Sequence, residues 1–156
     1  MTSVLPRTPG KLSELAPLIT SGDEFASIVS ALLSGQSAAI DGAWGSSCAL
    51  TVAALQLSCP KHTFIVVVPG IRDVDDFVDE LSELQNRPVQ AFAAWESLPE
   101  EHDISDSIFA SRLSVLRRLT SKGADEGSSQ PAAIVTCIPA LLQPVPSRAA
   151  IQEATR

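Results

Sequence analysis

Apolar residues along this chain recur with a helical spacing in some segments and as short uninterrupted runs in others. Spacings of three and four predict an amphipathic helix that ends at Gly35, with the apolar positions Phe25, Ile28, Val29, Leu32 and Leu33. The clearest helical segment is Ile71–Leu84, where one apolar stripe is flanked by six aspartates and glutamates that we expect to face solvent. Further helices are predicted for Cys48–Leu57, for Asp103 to about Leu119 and for Pro139–Leu142.

The short apolar runs predict strands. Thr63–Val68 is a β-branched run before Pro69-Gly70, typical of a strand buried on both faces of a parallel sheet. Val89–Phe92 and Ala132–Thr136 are shorter runs of the same kind, and Ser37–Ile40 is interpreted as the strand of the first strand–loop–helix unit. Strands that alternate with helices predict an α/β fold, a parallel sheet with helices on both faces.

The boundaries of the globular part follow from changes in composition. Residues 1–21 are rich in Pro, Ser and Thr and are predicted to form a flexible arm with one or two helical turns. We assign residues 22–146 to a single α/β domain. Residues 147–156, after Pro144 and Pro146, are expected to be a linker or the truncated start of the next domain.

Composition and charge narrow the classes of partner. Of the 156 residues 45% are apolar, which is enough for a packed core, but no apolar stretch approaches the about 20 residues that span a bilayer. Met1–Gly10 has no apolar core typical of a secretory signal, so we expect a cytoplasmic protein without a membrane partner. The net charge of −7 and the 11 scattered lysines and arginines argue against direct DNA binding by this chain.

Cysteine and histidine positions argue against a metal site. Cys48, Cys59 and Cys137 lie far apart with no C-x-x-C pair, and neither His62 nor His102 has a second ligand nearby in sequence. We therefore predict no metal and no disulfide framework.

A turn shaped like a phosphate-binding loop follows the first predicted strand. A working loop reads G-x-x-x-x-G-K-[ST], in which the lysine pairs with phosphates and the hydroxyl residue holds Mg²⁺. Here the first glycine is present, but the second glycine, the lysine and the hydroxyl residue are replaced by Ser47, Cys48 and Ala49. The candidate site is this degenerate loop, which we predict to be inactive: Gly42, Ala43, Trp44, Gly45, Ser46, Ser47, Cys48 and Ala49.

Several alternatives for this loop stay open. Backbone N–H groups at the helix N-terminus could still bind a nucleotide, which would make this a nucleotide-binding domain of the P-loop or helicase class. A dinucleotide site is disfavoured, because Val68-Pro69-Gly70 stands where its acidic ribose contact belongs. Trp44 either caps the empty phosphate site or packs against the sheet edge, and packing is the favoured reading.

A second polar cluster surrounds Pro99 and contains residue types suited to acid–base chemistry. It comprises Glu96, Glu100, Glu101, His102 and Asp103. Because no nucleophile, metal set or basic clamp accompanies it, a solvated loop is favoured and no catalytic residue is assigned.

The order of these features resembles the N-terminal UvrB-like module of the bacterial transcription-repair coupling factor (Mfd) family. The resemblance covers about Ser37 to Pro146, and its more specific elements are a W-E-x-L-P motif followed by S-R-L-x-x-L. The matching segments are Asp41–Leu55, Phe64–Leu84, Ala93–Pro99, Ser111–Leu116 and Ile134–Gln143. Lys122–Gln130, a low-complexity polar segment, departs from the family pattern.

The resemblance implies a degenerate P-loop NTPase or helicase-like fold that has lost its Walker A lysine, as Cys48 suggests. It implies a non-catalytic role in transcription-coupled nucleotide excision repair. The full-length family binds RNA polymerase, translocates on DNA with ATP and Mg²⁺, and recruits UvrA. Those activities belong to other domains, so we expect no cofactor in this chain, and its neighbours in the same protein as its direct partners.

Overall fold

The computed structural model describes residues 10–95, 106–120 and 132–153. A single turn of 3₁₀ helix at Leu12–Glu14 precedes seven α-helices and three strands in this part of the chain. The α-helices are α1 Ala16–Thr20, α2 Asp23–Leu33, α3 Ser46–Ser58, α4 Arg72–Leu84, α5 Asp106–Thr120, α6 Ile138–Leu142 and α7 Arg148–Glu153. The strands are β1 Phe64–Val68, β2 Val89–Phe92 and β3 Ala133–Cys137.

The three strands form one parallel sheet in the order β1-β3-β2. The predicted α/β class and parallel pairing are confirmed. Every residue of β3 is buried, which agrees with its central position and its uninterrupted apolar sequence. The residues on β1 and β2 that are paired with Ala133 are Phe64 and Val89, so these three side chains share one face of the sheet.

Helices pack against both faces. On the face of Ala133, small residues of α3 form a core with Leu81 and Leu84 of α4; the α3 residues are Ala49, Ala53 and Ala54. Their short side chains let the helix backbone approach its neighbours closely. On the opposite face, Val115 and Leu116 of α5 lie beside Ile134 and Phe92.

The burial predicted for Thr63–Val68 was wrong on one face. Ile65 is 60% exposed and Val67 is 49% exposed, whereas Val68 is buried. The reason is topological: β1 is an edge strand that pairs only with β3. The helix that covers this face of the sheet, α5, packs mainly on β2.

The strand interpretation of Ser37–Ile40 was also wrong. Residues 36–40 have no regular secondary structure and are exposed throughout. Ala38 and Ala39 contribute little apolar surface, and alanine is a weak strand former, so this segment gains little by pairing with the sheet. The turn that follows therefore does not begin at the end of a strand of this sheet.

Helices are present at both ends of the described chain, and Leu12–Glu14 and α1 agree with the one or two helical turns predicted within residues 1–21. Residues 16–20 form α1, and Ala16 is buried in the same core as Ala49 and Ala53. Residues 148–153 form α7, which packs on α5 and buries Ile151. The domain boundaries at residues 21 and 147 stay predictions.

The other predicted helices agree with the structure to within a few residues. Asp103, the polar cluster around Pro99 and the segment Lys122–Gln130 lie outside the described residues. None of the described helices combines the length and apolar character that a membrane span requires.

Candidate functional site

The candidate loop forms a tight turn that leads directly into α3. Gly42 has φ 80° and Gly45 has φ 54°, values in the left-handed region that side chains with a Cβ avoid. Gly45 is the residue before the first turn of α3. These two glycines therefore do what the pattern predicted: they allow the backbone to reverse into the helix.

Ser47 fixes the turn from inside. Its Oγ accepts a hydrogen bond from the backbone N–H of Trp44 at 2.6 Å and donates to the Trp44 carbonyl oxygen at 2.7 Å. The Ser47 N–H also donates to the Trp44 carbonyl oxygen, and the Cys48 N–H donates to that of Gly45. In a working phosphate loop, backbone N–H groups at these positions point at the phosphates. Here they bond within the turn.

Cys48 and Ala49 occupy the positions that correspond to the lysine and the hydroxyl residue of a working phosphate loop. The Cys48 thiol donates to the Ala43 carbonyl oxygen at 3.4 Å. Ala49 is fully buried and packs in the core beside Ala53 and Leu81, so position 49 faces the protein interior rather than a ligand. These two side chains therefore offer Mg·ATP neither a cation nor a magnesium ligand.

The surroundings of the turn are acidic. A cleft of about 550 Å³ opens between Gly45 and Cys48 on one side and α4 on the other, and its lining includes the carboxylates Asp73, Asp76 and Glu80. The Ser46 hydroxyl donates a hydrogen bond of 2.9 Å to Glu80 Oε1. A phosphate entering this cleft would meet negative charge with no lysine or arginine in the lining.

These carboxylates do not amount to a metal centre. Asp73 Oδ2 accepts a hydrogen bond of 2.9 Å from the Gly70 N–H and so stabilises the start of α4. Across the three described stretches, no group of three or more His, Cys, Asp or Glu side chains is arranged to hold a metal ion. Cys59 and Cys137 are buried, free cysteines.

Trp44 neither caps a phosphate site nor packs against the sheet edge, so the favoured reading was wrong. Its side chain is 83% exposed. Residues 36–40, which precede the turn, do not join the sheet and are exposed.

A buried polar cluster joins three elements on the other side of the sheet. It was not predicted from the sequence. Arg112 of α5 is only 3% exposed, and its guanidinium lies 4.1 Å from the ring centroid of Phe92 and 4.8 Å from that of Trp95. It donates to the carbonyl oxygens of Ala93 at 2.6 Å and Ala140 at 3.4 Å.

Gln143 completes this cluster. Its Oε1 accepts hydrogen bonds from the backbone N–H of Trp95 at 2.7 Å and from Arg112 at 3.4 Å. Its Nε2 donates to the Trp95 carbonyl oxygen at 3.0 Å. Burial lowers the pKa of the Arg112 guanidinium, and the nearby Cys137 acts in the opposite direction. Three of the sequence motifs used for the family resemblance thus meet at one structural junction. The signal was present in the sequence, because Arg112 lies at an apolar-stripe position of α5, three and four residues before Val115 and Leu116.

Comparison with known proteins adds no family assignment. The sequence matches no protein-family model and has no significant match among curated proteins.

Proposed function

We propose that this chain is a non-catalytic module of a transcription-repair coupling factor, with a degenerate P-loop or helicase-like fold. In the parent protein it anchors neighbouring domains and restrains them until RNA polymerase is engaged. The parent then displaces stalled polymerase and recruits UvrA for nucleotide excision repair. The role in repair rests on the resemblance of the sequence motifs, and the non-catalytic assignment rests on the geometry of the turn.

The non-catalytic part of the proposal is supported by the turn before α3, which is hydrogen-bonded internally and lies beside carboxylates. The N–H groups of Ser47 and Cys48 bond to carbonyl oxygens within the turn, and Glu80 is hydrogen-bonded to Ser46 at the start of α3. A competing role as an ATP-binding domain would need donors facing the cleft and a cation near the phosphates. The lining residues supply carboxylates instead.

Two measurements test the proposal. The chain alone should release no phosphate from ATP above the buffer rate, with or without duplex DNA; measurable turnover would contradict the non-catalytic role. In a parent protein that carries this module, deleting it should raise the ATP turnover measured without RNA polymerase. Unchanged turnover after deletion would contradict the restraining role.

A further inference from the structure

Trp44 is the most exposed of the large apolar side chains in the described part of the chain, ahead of Leu142 at 80%. Tryptophan buries a large apolar area on binding and is over-represented among the residues that dominate binding energy at protein interfaces. An indole that is 83% exposed buries little of its apolar surface within the fold. Its position is therefore better explained by binding than by folding.

The turn holds Trp44 in one backbone geometry. Both the N–H and the carbonyl oxygen of Trp44 are bonded to the Ser47 hydroxyl, at 2.6 and 2.7 Å, and the Ser47 N–H adds a third bond at 3.2 Å. Ser47 is itself part of α3, whose core residues are fully buried. A side chain presented on such a fixed backbone loses less conformational entropy on binding than one on a flexible loop.

Negative charge lies close to the turn that carries this aromatic side chain. Ser46, two residues after Trp44, is hydrogen-bonded to Glu80, and the adjoining cleft is also lined by Asp73 and Asp76. The cleft has apolar walls as well, supplied by Val52 and Phe77. The cleft is therefore partly apolar and lined by carboxylates, and Gly45, the neighbour of Trp44 in the chain, forms part of its lining.

We infer that Trp44 and the carboxylates of Asp76 and Glu80 form a docking surface for a basic segment of another protein. An arginine or lysine of that segment stacks on the Trp44 indole, and neighbouring basic side chains pair with the carboxylates. Charge complementarity decides between classes of partner, because DNA phosphates and anionic lipid headgroups would both be repelled by the cleft. The surface is independent of the role in repair, since it depends only on this turn and α4.

Two synthetic peptides of equal length serve as probes: arginine alternates with leucine in the first, and glutamate replaces each arginine in the second. Binding is followed by the fluorescence anisotropy of the labelled peptide and by the indole N–H resonance of Trp44, which is assigned with the Trp44→Ala variant. We expect saturable binding of the arginine peptide, a shift of the Trp44 resonance and weakening of binding as salt is raised.

Substitutions with matched controls locate the surface. Trp44→Ala should weaken binding of the arginine peptide at least about 30-fold, whereas Leu142→Ala, an equally exposed apolar truncation, should leave it unchanged. The double variant Asp76→Asn/Glu80→Gln should weaken it about tenfold. Its control is Asp75→Asn/Asp79→Asn, which removes the same charge from exposed positions of α4 that do not line the cleft.

The inference is overturned by any of three results. The arginine peptide shows no saturable binding, it binds no better than the glutamate peptide, or Trp44→Ala behaves like Leu142→Ala. Tighter binding of a DNA oligonucleotide or of anionic vesicles through Trp44 would also overturn it, by assigning the surface to another class of partner. None of these results depends on ATP turnover, so the outcome is separable from that of the proposed function.

Discussion

The Ser46 hydroxyl donates a 2.9 Å hydrogen bond to the carboxylate of Glu80, a residue 34 positions later in the chain. This contact connects the first turn of α3 to the middle of α4. It also brings a carboxylate close to the positive end of the α3 dipole, where an anion is stabilised. The end of the helix that would attract a phosphate therefore already lies beside an anion of the chain itself.

Restoring the missing lysine alone should not restore nucleotide binding. In Cys48→Lys, we expect the new ammonium group to pair with the carboxylates of Asp76 and Glu80, which line the same cleft as Cys48. Position 49 faces the core and still offers no magnesium ligand. Equilibrium dialysis against Mg·ATP should show no saturable uptake up to millimolar nucleotide. Saturable binding by Cys48→Lys would show that the loop geometry is intact and only its charge is missing.

Because Gly45 has a positive φ, we expect the backbone of the Gly45→Ala variant to be strained. With φ 54° and ψ −132°, this residue lies in a region that residues with a Cβ rarely adopt. A Cβ at Gly45 would meet no atom within 4 Å, so the expected loss of about 1–3 kcal/mol in unfolding free energy is conformational rather than steric. Gly22→Ala, at φ −83°, is the control and should change stability by less than about 1 kcal/mol. Equal urea midpoints for the two variants would contradict this account of the turn.

Arg112 is expected to stabilise the junction of β2, α5 and the segment after α6. Arg112→Met keeps much of the side-chain volume but leaves the Ala93 carbonyl oxygen without its 2.6 Å donor and removes the stacking on Phe92 and Trp95. We expect a loss of about 3 kcal/mol in unfolding free energy, measured by urea denaturation. The control is Arg118→Met at an exposed position of the same helix, which should lose less than about 0.5 kcal/mol. Similar losses in both variants would contradict a structural role specific to Arg112.

At Gln56 we expect a substitution to raise the unfolding free energy rather than lower it. It is buried in α3, and neither its Oε1 nor its Nε2 has a hydrogen-bond partner among the described residues. Replacing an unsatisfied buried amide with an apolar side chain of similar size removes a desolvation cost, so Gln56→Leu should raise the unfolding free energy by about 1–2 kcal/mol. Gln36→Leu, at an exposed position, should have little effect on stability. A destabilised Gln56→Leu variant would show that the amide contributes a favourable contact in the folded protein.

The sequence pattern predicted the sheet and most helices because these elements depend on local periodicity. In Ile71–Leu84, the apolar stripe between acidic residues specifies a helix and the face that it buries. The uninterrupted run of Ala133–Cys137 specifies a buried strand. Burial of Thr63–Val68 could not be predicted in the same way. An apolar run looks the same in a central strand and in an edge strand, and only the order β1-β3-β2 distinguishes them.

The candidate site was predictable in its chemistry but not in its surroundings. The absence of a lysine at Cys48 and of a hydroxyl group at Ala49 can be read from the sequence alone. The proximity of Glu80 to Ser46 depends on how α4 packs against α3, and the 83% exposure of Trp44 depends on the tertiary surroundings of the turn. Such long-range relationships leave no local pattern for a sequence argument to detect.

Equilibrium binding of Mg·ATP to the unmodified chain tests the central claim most directly. Dialysis with labelled nucleotide gives the bound fraction, and the indole N–H resonance of Trp44 reports whether a ligand reaches the turn. The self-bonded, acidic turn predicts no saturable binding and no shift of the Trp44 resonance up to millimolar nucleotide. Saturable binding at micromolar nucleotide, accompanied by a Trp44 shift, would contradict it and would establish a working nucleotide site at the start of α3.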